Sequence, residues 1–177
     1  LFTFLPAARN VANGELAAAS PPSKALYYIL RGFFILTRGV PELIVAMIVI
    51  FFFSPGILPG AIALGVHNLG ILGKLSAEVV ENLDTRPARA LRNSGASTYQ
   101  ILVYAILPIT MPQILTYILY RWEVIMRTTI VVGFVSAAGL GREFRLDMSF
   151  FRYTDVALLL IWYLILVILA DIVSMFF

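Results

Sequence analysis

Residues 89 to 108 read RALRNSGASTYQILVYAILP, a polar island between long apolar segments. Pro87, just upstream, suits a first helical turn, where its missing N–H would have had no partner. Gly95 supplies a helix stop, because glycine enters the left-handed region without a Cβ penalty. Ser97, with Gln100 three residues on, has the pattern of a capping box that starts a second helix. Pro108 should break or bend that helix, since it lacks an N–H and its ring crowds the preceding turn. The island thus predicts a short helix, a glycine hinge and another helix, entered through Arg86, Arg89 and Arg92. So much ordered polar sequence in an apolar chain points to a docking element in water.

The surroundings set the class. The chain has 177 residues, 60% hydrophobic and 13% charged, with a mean hydropathy of +0.92. Soluble domains average about 45–50% apolar and roughly 25% charged residues. An all-α integral membrane protein is expected. The net charge of +3 is small and the arginines lie scattered beside apolar runs, so lipid is the expected neighbour and nucleic acid is not. Without cysteine there is no disulfide or thiolate chemistry, and the single histidine, His67, argues against a clustered metal site. There is no Ser/His/Asp set and no HExxH. Gly70 to Lys74 lacks the spacing and the following Ser/Thr of a phosphate-cradling loop and reads as helix packing. No enzyme activity and no cofactor are expected in this chain; any nucleotide chemistry belongs to another.

Residues 6–23 read as a loop rich in Ala, Asn, Pro and Gly. In 24–38 the cations Lys24, Arg31 and Arg38 recur every seven residues, which predicts a helix lying in the interface with its cations toward water or lipid phosphate. A tilted spanning helix with a snorkelling Arg31 is the alternative. Crossings are expected at about 41–54, 57–80, 106–127 and 155–177, with an aqueous loop at 84–105, all in one domain. In the second crossing Gly70, Gly73 and Ala77 share a face that permits close helix approach. Residues 128–141, TTIVVGFVSAAGLG, are too short and glycine-rich for a span and predict a re-entrant or packed interfacial segment. LFTFL at the start resembles the tail of an apolar segment, so an incomplete N-terminus is expected.

The basic residues orient the crossings. Arg9, Lys24, Arg31 and Arg38 share a side with Arg86, Arg89 and Arg92, which should be the cytoplasm. Arg142, Arg145 and Arg152 then fall outside, where a positive mouth suits an anionic cargo. Within the membrane, ionisable side chains mark a pathway or a buried pair. Glu123 and Arg127, four apart, read first as a self-neutralising pair. Arg121 has no local partner at a favourable spacing and is the better candidate for meeting an anion. His67 and Asn68 sit mid-segment; interhelical hydrogen bonds, worth about 0.6 kcal/mol on average, are expected of them ahead of lining the passage.

ALRNSGAS followed by AILP resembles the cytoplasmic loop of bacterial ABC-importer permeases, whose pattern is E-A-A, three residues, G, nine residues, I-x-L-P. Ala90, Gly95, Leu107 and Pro108 match at the right spacing. Arg89 replaces the acid, Leu91 the second Ala, and Ala105 the Ile. ARNVANG at Ala8, TRGVPELI at Thr37, LGVHNLGILGKLSAEVVE at Leu64 and YRWEVIMRTTIVVGFVSAAGLGREF at Tyr120 resemble the permease subunit of phosphonate-type importers.

The resemblance implies a type I ABC-importer permease, a methionine-permease-like helical bundle with a cytoplasmic coupling helix. It places the contact with the ATPase on Arg89, Ala90, Leu91, Arg92, Gly95, Ala96, Leu107 and Pro108. It also implies a homodimer in the bacterial inner membrane, two cytoplasmic ABC ATPases that bind ATP and Mg, and a periplasmic or lipid-anchored phosphonate-binding protein. The implied cargo is a phosphonate or a related phosphorus oxyanion such as phosphite or a phosphate ester, moved by alternating access. A related permease for methionine or another small nutrient would share the architecture. A passive channel would leave the island unexplained.

Overall fold

The computed structural model describes residues 5–13, 21–136 and 138–175, and among them finds helices and turns but no strand. The helices are α1 (Arg9–Ala12), α2 (Pro21–Gly39), α3 (Glu42–Phe52), α4 (Ile57–Glu81), α5 (Arg86–Asn93) and α6 (Thr98–Ile101). A π-helical turn, Leu102–Ile106, then leads into α7 (Leu107–Ser136), followed by α8 (Gly139–Ser149) and α9 (Tyr153–Met175). Residues 1–4 and residues 14–20 of the expected loop lie outside the described residues; within the rest of that loop, expected at 6–23, Arg9–Ala12 are helical and α2 already begins at Pro21.

Among the described residues, Ile57–Glu81, Thr98–Val135 and Tyr153–Met175 are long and apolar enough to cross a membrane. Glu42–Phe52 is not, at 11 residues and about 16 Å of rise against a hydrocarbon layer of roughly 30 Å. It passes the same test only together with Pro22–Gly39, the pair being interrupted at Val40 and Pro41. The crossing expected at 41–54 is therefore too short to stand alone. Pro41 cannot donate a helical hydrogen bond and disfavours helix in the residue before it.

The chain divides into two compact units, the first from residues up to Arg38 and Leu69–Ile118, the second from Gly39–Asn68 and the residues from Leu119 onward. In the first unit α2 lies directly against the second half of α4. A Cβ on Gly70 would strike Thr37, and one on Gly73 would fall within the Phe34 ring. Phe34 is consequently 1% exposed, and with Ala77, Val80, Ile101, Ile106 and Ile114 it forms the core of this unit. The Gly70–Lys74 stretch is thus a packing surface, as its sequence predicts.

Arg31 departs from expectation. Its guanidinium pairs with Glu81 at the end of α4 and stacks 5.5 Å from the Tyr27 ring. The seven-residue cation repeat treats α2 as a helix with a wet face. Arg31 instead turns toward the protein, because a carboxylate stands opposite it where α2 and α4 are close.

The second unit builds its core from Ala46, Ala63 and Val132, flanked by Leu43, Val45, Val49, Leu64 and Val135. Here α7 continues past Arg127 to Ser136, so the segment expected at 128–141 is divided between α7 and α8. Thr129 folds its hydroxyl back onto the Ile125 carbonyl at 2.7 Å, inside the helix. Gly133 serves close approach rather than helix breaking: its added Cβ would meet the Ala138 carbonyl at 2.7 Å and the Gly141 Cα at 3.1 Å. A Cβ on Gly141 would collide with the Ile130 carbonyl and the Phe134 nitrogen. The glycines that make 128–141 too glycine-rich for a span are what let α8 fold back onto α7.

Candidate functional site

The island is built as its residues dictate. Pro87 sits in the first turn of α5. Gly95 takes a φ of +84°, and two backbone bonds close the helix behind it: Gly95 N–H to the Arg92 carbonyl at 3.0 Å, and Ala96 N–H to the Leu91 carbonyl at 3.0 Å. This is a Schellman closure, and it satisfies carbonyls that a bare helix end would leave open. Ser97 and Gln100 then form the reciprocal capping box that starts α6. Pro108 does not end the helix. The π-turn Leu102–Ile106 immediately precedes it, so the wider hydrogen-bonding pattern absorbs the donor that Pro108 lacks.

The residues singled out on the island separate into two groups. Arg89, Ala90, Arg92 and Gly95 are exposed. Leu91 and Ala96 are half-buried and pack on the core of the first unit beside the buried Ala88. The first group presents a surface; the second holds it in place. Leu107 is half-buried and Pro108 exposed. Tyr99 and Tyr104, within the island, are also exposed; their sequence reads as an ordinary part of the helical pattern.

In the second unit the ionisable residues of α7 meet different partners. Arg127 pairs with Glu123, as the spacing of four predicts, and also with Asp171 of α9 at 3.0 Å. The Tyr163 hydroxyl donates to the Arg127 backbone carbonyl at 3.0 Å, fastening α9 to the same turn. Arg121 donates from Nε to Asn68 Oδ1, and Asn68 in turn donates to the Leu64 carbonyl at 2.7 Å. His67 is 8% exposed and engaged in contacts of its own. The structure thus joins Arg121 to Asn68 and Glu123 to Arg127, two separate groups within the candidate pathway set. Asp171 was the missed member. A lone carboxylate in a helix as apolar as α9 calls for a cation, which was its signal in the sequence.

The comparisons with known proteins agree with this architecture. Residues 13–177 match the family described as "Binding-protein-dependent transport system inner membrane component". The chain belongs to that family. This inner membrane component has the helical type I ABC-importer permease fold, and the family consists of transport permease subunits rather than catalysts.

A phosphite transport system permease protein of Stutzerimonas stutzeri is 37% identical over 165 residues, covering 93% of this chain and 57% of that protein. A phosphate-import permease protein of Mycolicibacterium smegmatis is 33% identical over 142 residues, 80% of this chain and 27% of that protein. A protein of Escherichia coli K12, named as a cryptic phosphonate transport system permease, is 34% identical over 113 residues, 64% of this chain and 93% of that protein. This inner membrane component spans little more than half the length of the phosphite permease it matches. No solved structure matches it significantly.

Proposed function

We propose that this chain is the membrane permease of an ATP-driven importer for a phosphorus oxyanion: a phosphonate, phosphite or phosphate ester. The exposed, doubly closed helix α5 carries the reading. A surface helix capped at Gly95 and seated on Leu91 and Ala96 is a rigid knob suited to a groove on a partner. Two copies of the permease, two cytoplasmic ABC ATPases and a solute-binding protein, periplasmic or lipid-anchored, complete the assembly. ATP and Mg are held by the ATPases, and this chain performs no bond chemistry.

The mechanism is alternating access. Closure of the ATPases on ATP moves α5. The island is continuous through the π-turn with α7 and joined by a short link to α4, so its displacement passes into membrane helices without a flexible break. The cargo is named by the phosphite, phosphate and phosphonate permeases that the chain resembles. An intramembrane arginine without a carboxylate partner among the described residues, Arg121, supplies a group that such an anion would meet.

Purification of the chain from bacterial membranes should retain an ABC ATPase. Vesicles holding the complex and its binding protein should accumulate labelled phosphite or a simple phosphonate only with ATP inside the compartment that houses the ATPase. Uptake of methionine in place of the phosphorus compounds would replace the cargo, and flux without ATP would replace the importer by a channel.

A further inference from the structure

Asn68 is 5% exposed, and both ends of its amide are engaged. The nitrogen donates to the Leu64 carbonyl at 2.7 Å and the oxygen accepts from Arg121 Nε. The partners fix this orientation. Reversed, the amide would set its oxygen against a carbonyl oxygen and its N–H against an N–H of the guanidinium.

A guanidinium carries five N–H donors, of which Nε supplies one. The two Nη groups form the end-on fork that matches a pair of oxygens on a carboxylate or phosphate. Arg127 has its charge met by two carboxylates, Glu123 and Asp171, both at one terminal nitrogen. Arg121 meets a neutral oxygen instead, and no carboxylate pairs with it among the described residues. Glu123, two positions along the helix, lies toward another side of α7 and is held by Arg127.

We propose that Asn68 is a positioning residue: it fixes Arg121 through Nε while leaving the charge uncompensated and the Nη fork available to a tetrahedral phosphorus oxyanion. The proposal rests on the importer reading above. It explains why a neutral amide fits this place, since an aspartate of the same size would accept the same Nε bond but cancel the charge of Arg121 and give up the bond to the Leu64 carbonyl.

The test compares Asn68→Asp with Asn68→Ser in the complete importer, reconstituted in vesicles with its ATPases and binding protein and assayed for phosphite or phosphonate uptake against concentration. ATPase co-purification and basal ATP hydrolysis report assembly. Asn68→Asp should retain assembly and lose on the order of tenfold or more in uptake, because the fork then faces an anion already neutralised. Asn68→Ser, which neither neutralises nor orients, should lose less and keep more of its maximal rate than the aspartate variant. If Asn68 serves only packing, the order reverses, and the isosteric Asp transports better than Ser; that result overturns the proposal. Should Asn68→Asp fail to assemble, a Ser variant with wild-type uptake overturns it as well. A wild-type complex that moves no phosphorus oxyanion overturns the importer reading itself, and with it the role of Asn68.

Discussion

Arg31 and Glu81, fifty residues apart in sequence, form an ion pair in which the side chains are 18% and 17% exposed. The same Glu81 oxygen accepts from the Arg9 backbone N–H at 2.7 Å, and the Asn10 side chain donates to the carbonyls of Val80 and Glu81 at 3.3 and 2.9 Å. Two segments, α1 and α2, therefore converge on the last turn of α4, four residues before the island helix begins. The last two carbonyls of α4 thus gain a side-chain donor in Asn10.

Truncating either partner should leave the other charge half-buried and uncompensated. Glu81→Ala and Arg31→Ala are each expected to cost about 2–3 kcal/mol, less than a fully buried pair because both groups keep some contact with solvent. The double variant should recover part of that loss. A double-mutant cycle by thermal unfolding in detergent measures the coupling, and additive losses would show that the pair contributes nothing of its own.

Glycines on α4 are predicted to differ sharply. Gly70→Ala meets the Thr37 side chain and the Arg38 nitrogen at 3.2 Å, so backbone must move, at about 1–3 kcal/mol. Gly65→Ala meets nothing within 4 Å and should be neutral or slightly stabilising. Folded yield and melting temperature of the two variants give the comparison; equal behaviour would mean that α2 and α4 are not in close contact.

Gly95 separates conformation from surface. A Cβ there meets nothing within 4 Å, yet φ is +84°. Gly95→Asn should be nearly silent, since asparagine tolerates the left-handed region, and Gly95→Ala should lose about 1 kcal/mol. Gly95→Arg should fold with a similar loss but fail to support stimulated ATP hydrolysis, because its side chain would stand on the proposed docking face. Normal stimulation in that variant would remove α5 from the contact.

Phe151 is the strained counterpart. It closes α8 with a φ of +57°, where Arg152 N–H reaches back to the Asp147 carbonyl at 2.8 Å. A bulky residue in this region costs about 1–2 kcal/mol, and the ring is largely exposed. Phe151→Gly should stabilise the protein by about 1 kcal/mol. A fall in melting temperature would mean that the ring contributes more than the backbone strain removes.

Arg127 stands between two carboxylates, so Glu123→Gln or Asp171→Asn alone should be tolerated, each leaving one partner. Glu123→Gln with Asp171→Asn leaves the arginine without either, and loss of folded protein should exceed the sum of the single losses. Additive behaviour would indicate that the two pairs act independently.

Local chemistry made the island legible. Pro87, Gly95, Ser97 and Gln100 act through their own backbone neighbours, and each does what its residue type predicts. Packing was legible where the glycine face of α4 repeated with helical period. What escaped were pairings set by tertiary approach: Arg31 with Glu81, Asp171 with Arg127, and Asn68 with Arg121. A charge pattern along one helix says which side is polar, not which carboxylate another helix will bring to it. The end of the third crossing was also misplaced, because glycine and β-branched residues weaken helix in isolation whereas Gly133 is used here for contact with Gly141.

The π-turn at Leu102–Ile106 has a rotational consequence. Widening one turn is equivalent to inserting a residue into an α-helix, so side chains before and after it are out of phase by roughly 100°. The capped start of α6 and the buried Thr110 and Ile114 further on follow different angular origins along what is otherwise a continuous rod. Deleting a single residue from 102–106 would restore one helical phase and turn the island relative to its own core. Sequence length in this turn is therefore held to the residue, even though its apolar side chains could be exchanged.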